Sequence, residues 1–524
     1  MALGSVALVL HAHLPFVRHP ELPDSLEEQW LFEAVTETYL PLLDVLDGLA
    51  RDRVSARCTV SLSPTLLAMF GDGLLRARYR RHLDALLQLS EREARRTRDQ
   101  PAWRRCAELY VARLTRARAR YLTHWGEDLA GAFRGFAERR QVELATTSAT
   151  HAVLPLLAAT PAFARAQIAI GVTEHRRWFG TSPAGFWLPE CAFAPGLDAE
   201  LARAGVRWCI LDTHGVVHAT PQPVYGVYAP IACPSGVLAY GRDPDSATQV
   251  WSAEAGYPAD PWYRDFHRDI GFDLPPSQLG PFGRDGSRTP TGLKYHRITG
   301  DTADKEPYDP VRAQERVAVH AAHFVASRRD QVARLAAVMD RPPVVVCPYD
   351  AELFGHWWFE GPDWLDAVLR GLAAAPELEA IALSQDLDRH PVAQRAVPAA
   401  STWGWRGHHG VWLQPTNDWI YPRLHRAAGT LLDLCHATPR PEGWRHRALT
   451  QALRELLLAQ ASDWAFMMAR GTTIEYAAQR TLAHLDRCTR LCQAVATHTR
   501  DDALLAASED QASVFPELAL DVIG

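Results

Sequence analysis

Residues 344–362 read VVVCPYDAELFGHWWFEGP. Three β-branched valines run into a Cys-Pro-Tyr corner that delivers Asp350 and Glu352, with Phe354, His356, Trp357, Trp358 and Phe359 close behind. A second carboxylate stands at another strand end, in GFWLPECAF, where Pro189 fixes the backbone that presents Glu190. Two carboxyl groups from different strands can meet across a sheet's mouth, which is the layout of glycosyl chemistry. One group protonates the leaving oxygen, and the other attacks or activates water from the opposite face. A separation of about 5–5.5 Å means retention and about 6.5–9.5 Å means inversion. Aromatic walls would grip sugar rings and, by excluding water, raise the acid's pKa. The plainer alternative is that Asp350 and Glu352 only cap the next helix. Cys191, beside Glu190, has no separate activating base in view, so a catalytic thiol is disfavoured.

Histidines add to this set. HAHLPF places His11 and His13 at the end of the first strand, and alternate residues of a strand share one face. TTSATHAVLPL places His151 after the third. An H-x-H here fits a metal hydrolase as readily as a sugar site. The segment STWGWRGHHGVWLQPTNDWIY, 401–421, packs Trp403, Trp405, Trp412 and Trp419 among Gly and His, a poor helix and a poor strand. It reads as a wall of glucan platforms, or as a linker stapled to the barrel. The chain has 17 Trp and 22 His, and many of the Trp lie beside Gly, Pro and carboxylates, where a buried core has no need of them.

Short apolar strands must position these groups. Candidates are 5–12, 56–62, 142–150, 185–190, 206–212, 227–233, 343–349 and 379–384, with amphipathic helices such as 161–179 between several of them. Alternation at this length predicts a parallel α/β sheet. Polar residues at nearly every strand end favour a barrel over a doubly wound sheet. Residues 1–400 are read as the barrel, 72–138 as a helical Arg/Leu-rich insertion within it, 234–310 as a long active-site loop and 401–524 as a C-terminal helical part. From about 418 onward the pattern is helical, with a helix running through ASDWAFMMAR to a stop at Gly471. Asp463 and Trp464 in that run are candidates for the groove.

At 524 residues two or three domains are expected, and a net charge of −6 gives no reason to expect a nucleic acid. The arginines of 76–120 are interleaved with acids and read as solvated helix faces. No apolar run is long enough to cross a bilayer, so no membrane partner is expected. Nine scattered cysteines favour a reducing, cytoplasmic setting.

Taken together, HAHLPF, ELATTSATHAVLPL, GFWLPECAF, CPYDAELFGHWWFEGP and STWGWRGHHGVW resemble glycoside hydrolase family 57, and within it the branching members, over nearly the whole chain. The resemblance implies an incomplete TIM-like (β/α)7 barrel with a helical insertion and a C-terminal helical domain. It implies a retaining mechanism with Glu190 as nucleophile and Asp350 as general acid/base. His11, His13 and His151 would line the donor sugar site. Trp403 and Trp412 would bind glucan, with Trp262 and Trp357 as further candidates. Tyr240, in VLAYGRD, resembles a loop tyrosine that shields the intermediate from water. The substrate would be an α-glucan and the protein a monomer; neither a metal nor an organic cofactor is expected. The rivals are an α-amylase or 4-α-glucanotransferase on the same site, a metal-dependent deacetylase, and a non-catalytic glucan-binding protein.

Overall fold

The computed structural model describes residues 2–252, 255–286 and 289–524. Its sheet has ten strands: β1 (Gly4–Ala12), β2 (Cys58–Leu62), β3 (Val142–Thr147), β4 (Gly185–Trp187), β5 (Trp208–Leu211), β6 (Ile231–Ala232), β7 (Leu238–Gly241), β8 (Val344–Asp350), β9 (Leu378–Ala380) and β10 (Gln394–Arg395). Seven of them pair in parallel, in the order β7-β5-β4-β3-β2-β1-β8, as an incomplete barrel. The gap between β7 and β8 is bridged by Asp243 N to Val346 O at 2.9 Å and Val344 N to Tyr228 O at 3.0 Å. Behind it, Arg328 and Gln331 each donate to the buried Asp243 carboxylate.

The period of two in β1 and β8 explains why the polar residues point inward. Ala7, Val9, Val344 and Val346 face an inner core shared with Trp187, Trp208 and Ile210. One step beyond Val9 and two beyond Val346, the same rows arrive at His11 and Asp350, which are register partners. The opposite rows, Val6, Leu8, Leu10, Val345 and Cys347, pack into the layer between sheet and helices.

Two expected strands differ from the observed ones. The wall strand is not 227–233 but β7, at 238–241; β6 is a two-residue strand antiparallel to it. The 234–310 stretch, read as a loop, therefore begins with a barrel strand followed by the helix Pro244–Trp251, and four of its residues, 253–254 and 287–288, lie outside the described ones. Four apolar residues among Gly, Pro and Asp were too short a signal to stand out. β9 pairs only with the start of β1, and so lies outside the seven-strand wall.

After β2, the helices Gly73–Arg96 and Pro101–Ala119 bury Leu75, Tyr79, Leu83, Leu86 and Leu89 at a spacing of three or four residues. Asp72 caps the first of them through Leu75 N, at 2.9 Å. Several of their arginines face outward, Arg116 to Asp44 and Arg118 to Asp84, whereas Arg78 is buried against Glu28. In the C-terminal part, the expected helix through ASDWAFMMAR is two helices, Gly443–Ala459 and Ser462–Arg470. The break at Ala461 carries neither Gly nor Pro. It is imposed from outside, by an antiparallel bridge from Ala461 to Ala152 and a hydrogen bond from Ser462 N to His151 O at 3.1 Å. Gly471, in the left-handed conformation, ends the second helix.

Candidate active site

Glu190 follows β4 at φ 61°, ψ 22°, and Cys191 is also left-handed, at φ 49°. Non-glycine residues rarely hold such angles, and here the surroundings enforce them. Cys191 N bonds Leu188 O, Ala192 N bonds Pro189 O, and Trp403 N bonds Glu190 O at 3.0 Å. Phe193 and Ser401 exchange two backbone hydrogen bonds, which zips the 401–403 segment onto this turn. The Glu190 side chain is then gripped at both oxygens. Trp403 Nε1 donates to Oε2 at 2.8 Å and Ser462 Oγ donates to Oε1 at 3.0 Å.

Around it, the imidazoles form a stack. His11 lies on Trp187 with centroids 4.5 Å apart, and His13 and His151 are parallel at 3.9 Å. His11 and His151 share a hydrogen bond between their Nε2 atoms at 2.9 Å, while His13 Nε2 meets Asp463 at 3.1 Å. Burial holds both His11 and His151 well below the usual histidine pKa, so both are neutral. His13 Nδ1 is buried and has no hydrogen-bond partner among the described residues, a polar atom free for a substrate hydroxyl.

Asp350 and Glu352 lie on the β8 side. Burial first, then the negative charges of Glu352 and Glu190, push Asp350 far above the carboxylate range. Glu352 accepts from Tyr39 Oη and from His13 N at 3.1 Å, partners that Asp350 lacks among the described residues. Burial pushes Glu190 up to about 7 against the pull of its Trp403 hydrogen bond. The two carboxyl groups therefore differ: burial and neighbouring negative charge favour the protonated form of Asp350, while the donors Trp403 and Ser462 favour the ionised form of Glu190. One acid and one nucleophile or base are what glycosyl transfer needs.

His13, His151 and Asp463 offer donor atoms within 4.8 Å of one another. They form a poor chelate. Both His151 nitrogens are already engaged, by Ser462 and His11, and parallel stacked imidazoles send their in-plane lone pairs side by side instead of toward one point. The set reads as a hydrogen-bonded wall. The Cys191 thiol is buried and pushed far above its ordinary pKa, so it is no nucleophile.

Among the aromatic candidates, Trp403 reaches the centre. Trp357 is 54% exposed and stacks on Phe266 at 4.3 Å, and Trp262 is 38% exposed beneath the Arg297 guanidinium. Both are exposed at the surface, Trp262 with Arg312 as well as Arg297 over its ring. Two expectations are corrected. Trp412 is 2% exposed and lies against Gly404, where a β-carbon would come within 2.6 Å of its ring. It is a core residue under the turn that carries Trp403, and the exposed indole of the segment is Trp405, 67% exposed. Tyr240 is in strand β7, wholly buried, with its hydroxyl on Asp386 and its ring edge-on to Trp208, so it is not a loop residue over the mouth. Sequence reasoning missed Ser462, Ser61 and Arg242. Arg242 sits over Trp403 and pairs with Asp212. Only its position just after an unrecognised strand could have signalled it.

Comparison with known proteins fits this geometry. The sequence matches the description "Glycosyl hydrolase family 57" over residues 7–239 and "1,4-alpha-glucan branching enzyme, C-terminal" over 423–522. It is 31% identical to the 1,4-alpha-glucan branching enzyme TK1436 of Thermococcus kodakarensis, over 92% of this chain and 72% of that protein. The chain belongs to glycoside hydrolase family 57. Among solved structures, the novel alpha-amylase AmyC from Thermotoga maritima superposes with a TM-score of 0.93 at 39% identity, covering 99% of each chain. The GH57-type branching enzyme from Pyrococcus horikoshii superposes with a TM-score of 0.89 at 29% identity, covering 99% of this chain and 97% of that one. The frame of this chain is thus shared with a relative named as an amylase and with relatives named for branching.

Proposed function

We propose that this family 57 protein is a retaining α-glucan branching enzyme. Glu190 attacks the anomeric carbon of an α-1,4-linked glucose while Asp350 protonates the departing oxygen. A covalent glucan–Glu190 ester forms and the cleaved chain leaves with a new 4-hydroxyl. Asp350, now a base, deprotonates the 6-hydroxyl of an acceptor glucan, which displaces Glu190 and creates an α-1,6 branch. The observation that carries this reading is the contrast between the two buried carboxyl groups: Glu190 accepts from Trp403 and Ser462, as suits an ionised nucleophile, while burial and the charges of Glu352 and Glu190 raise the Asp350 pKa, as suits an acid. His13 and Asp463 would bind hydroxyls of the donor sugar; Trp403, Trp357 and Trp262 would carry glucan rings.

Transfer over hydrolysis is supported by the C-terminal match to branching enzymes and by the T. kodakarensis relative. The second reading is an α-amylase on the same site, favoured by the likeness to the T. maritima enzyme. Water and glucan compete for one intermediate, so the product linkage separates the two. Amylose incubated with the protein should lose iodine colour with few new reducing ends and should yield short chains to an α-1,6-specific debranching enzyme. Reducing ends rising in step with colour loss, and nothing to debranch, would make it an amylase. The nine free thiols and the absence, among the described residues, of any helix long and apolar enough to cross a membrane are compatible with a cytoplasmic monomer.

A further inference from the structure

Ser462 begins the helix Ser462–Arg470, at the break that no sequence signal announces. Its hydroxyl lies 2.8 Å from His151 Nδ1 and 3.0 Å from Glu190 Oε1. We propose that Ser462 is a positioning residue for the reaction, contributed by the C-terminal helices: its hydroxyl, oriented by a chain of hydrogen bonds from the barrel, holds the Glu190 carboxylate turned for attack. The inference rests on Glu190 being the nucleophile.

Proton counting fixes the direction of the chain. An ionised Glu190 can only accept, so the single Ser462 proton points to Oε1. Ser462 must then accept from His151, which places the His151 proton on Nδ1 and leaves Nε2 bare. That bare Nε2 accepts from His11 Nε2–H at 2.9 Å, and the bare His11 Nδ1 accepts from Ser61 Oγ–H at 3.2 Å. Both imidazoles are neutral, and every donor meets one acceptor from Ser61 to Glu190. Protonating Glu190 breaks this order. On Oε1 the proton confronts the Ser462 hydroxyl head-on, so that Ser462 abandons the carboxyl or both imidazoles change tautomer; on Oε2 it leaves the Ser462 bond in place but makes that oxygen a poorer acceptor for Trp403. The chain therefore favours the ionised, attacking form.

This ordering is not available to the barrel alone. Ser462 N is tied to His151 O, and Ala461 bridges Ala152, so the helix start is locked to the loop after β3. Both ties are main-chain bonds that alanine at 462 retains. The other titratable and charged groups around Glu190 are Asp350, Asp463, His13, His151 and, beyond Trp403, Arg242. Of these only His151 touches the 462 hydroxyl, and burial keeps it neutral, so a shift in the pH profile reports the loss of the hydroxyl and of the hydrogen-bond chain that runs through it.

The test is the pH dependence of kcat/KM on amylose for the wild type, Ser462→Ala, Ser462→Thr and Glu190→Gln. Loss of a donor to a carboxylate should move the acidic limb of Ser462→Ala upward by about one pH unit. Activity relative to wild type would then fall about tenfold at pH 6 but within about twofold at pH 9, and Ser462→Thr should restore the limb. A loss of equal size at every pH, with the limb unmoved, would make Ser462 merely structural and overturn the inference while leaving the nucleophile assignment intact. Near-normal activity of Glu190→Gln would instead remove the reading on which the inference stands. If Ser462→Ala does not fold, Ser462→Cys keeps the shape with a weaker donor, and its limb must still rise.

Discussion

Replacing Trp403 by Phe would remove a hydrogen bond while keeping an aromatic face. The indole N–H donates to Glu190 Oε2 at 2.8 Å, and it is the strongest of the influences that hold the Glu190 pKa down against burial. A hydrogen bond to a charged group contributes about 1.5–3 kcal/mol, and one pKa unit corresponds to about 1.4 kcal/mol. The Glu190 value, about 7 in the intact protein, should therefore rise to about 8–9. The sign follows from chemistry: the reactive form is ionised, so a raised pKa removes activity from the acidic side. At pH 7 the ionised fraction would fall from about a half to about one tenth or one hundredth, a roughly five- to fiftyfold loss. At pH 9 the loss would shrink to within about twofold. The assay is kcat/KM on amylose from pH 5 to 9.5, read as the ratio of variant to wild type so that the shared basic limb cancels. Weaker stacking of the smaller ring would lower the ratio by the same factor at every pH. A ratio independent of pH would refute the claim that Trp403 tunes Glu190 and reduce it to a sugar platform.

Three further outcomes follow from the same geometry. Glu352→Gln removes the nearest negative charge that raises Asp350; the Asp350 pKa should drop, and the basic limb of the profile should move to lower pH, a shift absent if Glu352 only braces Tyr39. Exhaustive chelation should leave branching within about twofold, because the His151 nitrogens are committed to His11 and Ser462; metal-dependent loss and recovery of activity would contradict the hydrogen-bonded reading of the wall. Gly355→Ala should destabilise by about 3 kcal/mol or more, seen as a lower unfolding temperature, since the residue sits at φ 112° and a β-carbon would meet Glu37 O at 1.8 Å; an unchanged Tm would mean that the turn after Glu352 relaxes freely.

How far the sequence reveals this site depends on the range of the forces involved. The inward rows of β1 and β8 follow from a period of two, so His11 and Asp350 were legible as mouth residues, and Pro189 announced a fixed exit angle for Glu190. The helices of 73–119 were legible for the same reason at a different period. What escaped was set by distant partners. Ser462 looks like an ordinary helix-interior serine until Ala152 and His151 break the helix there. Trp412 and Trp403 are two tryptophans in one Gly-rich segment, and only packing against Gly404 decides which is buried. Tyr240 reads as a loop residue because β7 spans four residues and is defined by its pairing with β5 and β6.

The central claim, that Glu190 becomes bonded to glucan, is tested most directly by trapping. A 5-fluoro-α-glucosyl fluoride reacts to form the ester but slows its turnover, and peptide mass spectrometry then locates the sugar. The account predicts one hexose-derived adduct, on the peptide containing GFWLPECAF and at Glu190, and none after Glu190→Gln. An adduct on Asp350, Glu352 or Asp463, or turnover of the reagent with inversion and no adduct at all, would contradict it.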